Sequence, residues 1–92
     1  MENKVVITVL GEDRVGIVAN ISNLLATHNI NIEDITQKIL KGNIFAMIML
    51  VDMKNANIDL GELRKKLDEK SIELGMKITA HDLELFNYMH RI

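Results

Sequence analysis

Between Lys41-Gly42-Asn43 and Asp52 the chain runs Ile44-Phe45-Ala46-Met47-Ile48-Met49-Leu50-Val51, eight apolar residues without a break. A segment this short, closed by turn-forming residues, reads as a β-strand buried on both sides rather than as a helix. Such a strand belongs in the middle of a sheet, with other elements arranged to cover it. The stretch Val5-Val6-Ile7-Thr8-Val9-Leu10 is β-branched almost throughout and stops at Gly11, so it reads as a second strand of the same kind.

After Gly11-Glu12-Asp13-Arg14-Val15-Gly16 the period changes. Ile17, Val18, Ile21, Leu24 and Leu25 form the stripe of an amphipathic helix that ends near His28. Ile30 and Ile32 alternate with polar residues, whereas Ile35, Gln37 and Ile39 continue on the opposite parity. This predicts one strand with an irregularity near Glu33-Asp34, followed by a hairpin at Lys41-Gly42-Asn43. A second helix starts at Asp59, where Asp59 and Glu62 match a capping box and Ile58 and Leu63 a hydrophobic staple. Leu60, Leu63, Leu67 and Leu74 make its stripe, and Gly75 suits the left-handed residue that ends it. The charged residues between those leucines read as a solvated face. Met76 to His81 alternates, with Ile78 and Ala80 on one side, as a last strand.

The order β-α-β-β-α-β defines an α+β, ferredoxin-like sandwich: a four-stranded antiparallel sheet with two helices on one face. With 92 residues there is room for one domain, at residues 1–82, and a short C-terminal extension at 83–92. If the helices cover one face, then Val6, Thr8 and Leu10, or their alternates, and one set of residues from Ile44 to Val51 face water. An apolar patch of that size marks an interface. The tail supplies a candidate cover, since Leu85, Phe86, Met89 and Ile92 fall on one side of a short helix that can bury Phe86 fully and Tyr88 at its edge. A homodimer or higher oligomer is therefore expected.

Composition removes several classes of function. The formal charge is -2, with no basic block, which argues against nucleic acid or an anionic membrane as partner. The chain has no cysteine, so disulfides, thiolate nucleophiles and CxxC metal sites are excluded, and its three histidines have no metal-ligand spacing. No segment reads as a secretion signal or a membrane span, which points to the cytoplasm.

With this topology, the motif Asp13-Arg14-Val15-Gly16-Ile17-Val18-Ala19 and the stretch Asn29-Ile30-Asn31-Ile32-Glu33-Asp34-Ile35 resemble the ACT domain, a small regulatory module of amino-acid metabolism. The likeness runs from Val5 to His81. The pattern Gly11-x-Asp13-Arg14-x-Gly16-Ile17-Val18 is most similar to the branch found in glycine-cleavage repressors and formyltetrahydrofolate deformylases. The ending Phe86 to Ile92 resembles small stand-alone bacterial ACT proteins.

The resemblance implies a non-catalytic regulatory protein that acts as a homo-oligomer, with no cofactor. Its effector would be a small molecule of the amino-acid class, and its output a separate enzyme or regulator. The implied ligand residues are Gly11, Asp13, Arg14, Val15, Gly16 and Ile17 from the first strand-to-helix loop of one subunit, and Asn31 from the second strand of another. Amides at Val15, Gly16 and Ile17 at a helix N-terminus attract a carboxylate, and Asn31 offers an amide donor and acceptor. In serine-binding members His and Asn align with Gly11 and Asp13, so this chain departs from them at both positions. Asp13 is placed to cap the helix itself or to meet a ligand ammonium.

Two other functions share this fold and chain length. An ACT fold used only for assembly needs no ligand. An acylphosphatase shares the fold and length, yet it places its arginine in the first helical turn, where this chain has Val18 and Ala19, and needs an asparagine on the third strand, which Ile44 to Val51 lacks.

Overall fold

The computed structural model describes residues 3–90. The chain forms β1 (Lys4–Glu12), α1 (Ile17–Thr27), β2 (Asn31–Leu40), β3 (Ile44–Asp52), α2 (Leu60–Leu74), β4 (Met76–Asp82) and α3 (Leu83–Met89). The strands make one antiparallel sheet in the order β2-β3-β1-β4. The two strands with apolar residues on both faces are thus the two central ones, and the ferredoxin-like sandwich expected from the sequence is the observed fold.

Register decides which face is the core. Ile7 lies between Met49 and Ala80, and Val9 between Met47 and Ile78, so Val5, Ile7 and Val9 share a face with Phe45, Met47, Met49 and Val51. All of them are buried against Ile17, Ile21 and Leu25 of α1 and Leu63, Leu67 and Leu74 of α2. The opposite face carries Val6, Thr8 and Leu10 beside Ala46, Ile48 and Leu50. There Val6 is buried, but Leu10 and Ile48 are 47% and 49% exposed. The strand Ile44–Asp52 is therefore central yet not buried on both sides within a single chain.

Local chemistry sets the element ends. Asp59 accepts from the Glu62 amide at 2.8 Å while Glu62 accepts from the Asp59 amide at 3.1 Å, the reciprocal capping box anticipated for α2. Gly75 closes that helix at φ 67°. In β2 the register slips between Ile32 and Asp34. That bulge moves Ile35, Gln37 and Ile39 onto the helix-side face, opposite Met49, Met47 and Phe45. The helices do not reach that far, and every residue from Glu33 to Leu40 is exposed.

The tail differs from expectation. Asp82 caps α3 by accepting from the Leu85 amide at 2.9 Å, which starts the helix directly from the end of β4. A seven-residue helix launched there packs on β1 and β4 but buries none of its own residues. Phe86 is half-buried rather than fully enclosed, and Leu85, Tyr88 and Met89 point outward. Ile92, the last position of the expected stripe, and Arg91 lie outside the described residues.

An ion cluster joins the three strands at the other end of the sheet. Lys4 of β1 contacts Glu33 of β2 and, at 3.3 Å, Asp52 of β3. The bond to Glu33 is the main cause that raises the Lys4 pKa above 10.5, ahead of the Asp52 contact. Asp52 is held below its usual 3.8, first by the Lys54 backbone amide and then by Lys4. The Asp52 contribution to stability is thus complete above its ordinary pKa and lost as pH falls through the lowered one, whereas that of Lys4 is lost as pH rises through its raised value.

Two measurements test this layering. Met49→Ala, at a fully buried position, should cost about 3 kcal/mol in urea unfolding, while Ile48→Ala on the other face should cost less than about 1 kcal/mol. Asp52→Asn should flatten the acid limb of the stability profile below about pH 5 and leave the shape of the neutral region unchanged.

Candidate ligand-binding site

The corner between β1 and α1 is built by close packing. A Cβ on Gly11 would lie 2.5 Å from Met76 Sδ and 3.2 Å from the Gly75 carbonyl, so any side chain here would have to push the Met76 thioether aside and press on the start of β4. Asp13 donates its backbone amide to the Asn43 carbonyl at 2.9 Å, which ties the corner to the β2–β3 hairpin. Arg14 reaches across and donates from Nη1 to the Leu74 carbonyl at 2.9 Å. There it satisfies an orphan carbonyl and places positive charge at the negative end of α2.

Gly16 is the α1 N-cap, in the left-handed conformation at φ 91°, and no side chain caps the helix. This corrects the expectation that Asp13 does so. A capping carboxylate must sit at the cap position itself to reach the first-turn amides, and Asp13 comes three residues too early, before the turn at Val15-Gly16. The first intrahelical bond runs from the Asn20 amide to the Gly16 carbonyl at 2.9 Å, and the same carbonyl accepts from Asn20 Nδ2 at 2.7 Å. The amides of Ile17, Val18 and Ala19 precede that bond. Val15 beside them is fully exposed.

The chain therefore gathers Gly11, Asp13, Val15, Gly16 and Ile17 at one corner, with Arg14 committed to α2. It does not bring Asn31 there. Asn31 pairs with Asp52, which pairs with Lys4 at the opposite end of β1, roughly 24 Å from Gly11 at the usual rise per strand residue. Asn31 instead lines a cavity of about 460 Å³ with Asn29, Asp52, Lys54 and Asn55. Asn29 is left-handed at φ 59° and donates from Nδ2 to the Asn55 carbonyl at 2.9 Å.

Sequence reasoning missed Asn43 and Leu74 as anchors of the corner, because their part is played by carbonyls that any residue carries. It also missed the amide-rich cavity, whose side-chain amides come from Asn29, Asn31 and Asn55. Among the described residues no group of three His, Asp or Glu side chains is placed to hold a metal ion. No helix among them is long and apolar enough to cross a membrane.

Comparison with known proteins agrees with the geometry. The family model described as the ACT domain matches residues 3–81. A UPF0237 protein of Methanocaldococcus jannaschii is 50% identical over 90 residues, spanning 98% of this chain and 99% of its own, so the likeness to bacterial stand-alone chains extends to archaea. Among solved structures, an ACT domain protein from Streptococcus pneumoniae superposes with a TM-score of 0.78 at 34% identity, over 90% of this chain and 92% of that one. A formyltetrahydrofolate deformylase from Pseudomonas syringae superposes with a TM-score of 0.79 at 26% identity, over 85% of this chain but 26% of its own. From the βαββαβ topology, the glycine corner and these matches together, the chain belongs to the ACT domain family.

Proposed function

We propose that this protein is a non-catalytic, effector-binding regulatory subunit that works as a homo-oligomer and holds a small metabolite of the amino-acid class at its glycine corner. The observation that carries the reading is the α1 N-terminus: its first amides have no side-chain cap, and the fully exposed Val15 stands beside them. Such a terminus suits a carboxylate, and Asp13, which has no capping duty, suits the ligand ammonium.

The second half of the site comes from another copy. β2 is an edge strand of ten residues, and Ile35, Ile39 and Leu40 are 38%, 55% and 45% exposed. An edge of that kind pairs with something. Antiparallel pairing with the β2 of a second copy would carry Asn31 of each chain to the Lys41-Gly42-Asn43 hairpin of the other, and the hairpin is bonded to the corner through Asp13 and Asn43. This is the arrangement in which Gly11 to Ile17 and Asn31 can share a ligand. A ligand that binds the paired state better than the open one shifts the equilibrium between them, and that shift is what a regulated enzyme or regulator in the cytoplasm would read.

The second reading is a module that assembles through β2 without any effector, favoured by the commitment of Arg14 to Leu74. A thermal-shift screen of amino acids and folate-pathway metabolites separates the two. An effector in hundredfold excess over its dissociation constant should add about 2.7 kcal/mol, and Asn31→Ala should remove the response. Ile39→Lys should yield monomers in sedimentation and lose the response as well. Silence across the panel with the oligomer intact would favour assembly alone.

A further inference from the structure

On the face of the sheet away from α1 and α2 lies a trough of about 500 Å³, within the range of small-ligand sites. Leu10, Ala46 and Ile48 form its floor, Phe86 of α3 and His90 at the C-cap of that helix one wall, and Lys38 of β2 stands on the other. The strand register makes this arrangement, because Leu10, Ala46 and Lys38 lie side by side across β1, β3 and β2. Leu10 and Ile48 remain about half exposed there, so α3 narrows the apolar face without closing it.

Besides the neutral Thr8, Thr36 and Gln37 at its margin, the trough carries charge of one sign. In a chain with 13 acidic residues the lining contains none, while Lys38 is present and makes no ion pair among the described residues. The opposite wall is fixed in orientation: His90 donates from Nδ1 to the Phe86 carbonyl at 2.8 Å, and the two rings lie 4.2 Å apart at 30°. An apolar floor between paired rings and an unpaired ammonium group complements a molecule with a hydrocarbon body and one negative end.

We propose that this trough binds a small amphipathic carboxylate, its hydrocarbon part lying on Leu10, Ala46 and Ile48 against Phe86 and its carboxylate meeting Lys38. The site is separate from the glycine corner and does not rest on the effector reading above. Octanoate is the probe and octan-1-ol its uncharged counterpart, each titrated calorimetrically into the full chain while backbone amide NMR shifts are followed. The expected result is one saturable site per chain, about tenfold tighter for octanoate, with shifts clustered at Leu10, Lys38, Ala46, Ile48 and Phe86. Lys38→Gln, at an exposed strand position, should erase the difference between the probes, and Ala46→Phe should abolish both while the melting temperature holds. Absence of saturable binding, equal affinity for the two probes, or shifts centred on Val15 to Ala19 would overturn the proposal. So would an oligomer that Ala46→Phe dissociates, since the face would then be covered by a second copy.

Discussion

The structure depends on an imbalance between its sheet and its helices. β1 and β3 are apolar on both faces, and a βαββαβ chain supplies two crossover helices, both on one side. Burial of Ile7, Met49, Ile21 and Leu63 on that side drives folding. The other side is left with Val6, Leu10, Ala46 and Ile48, and a seven-residue helix covers part of them. What the fold can do beyond standing up follows from surface that this division leaves unfinished: the open face, and the β2 edge that extends past the helices.

The glycine corner shows how packing and binding share residues. Gly11 is small so that Met76 can approach, and Gly16 is left-handed so that the chain can turn into α1. Both are needed by the fold alone. Their joint effect is a helix start with no side-chain cap, which is also the chemistry of an anion site. Arg14, which looks from its place in the loop like a ligand residue or a solvated one, is held by the last turn of α2.

Much of the fold was legible because its signals are local. The capping box at Asp59 and Glu62, the parity change near Glu33 and the eight-residue apolar run each specify a structure within a few residues of themselves. The candidate site was legible only in part. The motif around Asp13 to Ala19 marked the corner, but nothing near Arg14 tells that the end of α2 holds it, and nothing near Phe86 tells that α3 is too short to enclose it.

The sequence by itself determined the order of elements, the central position of its two most apolar strands and the place of the first helix start, since periodicity, turn residues and capping are properties of neighbours in the chain. Tertiary structure alone decided which face became the core, where Arg14 and Asn31 ended up, and that Lys38 would stand across a trough from Phe86 and His90. Those outcomes follow from pairing between strands far apart in sequence, and one bulge at Glu33 is enough to send every later residue of β2 to the other face.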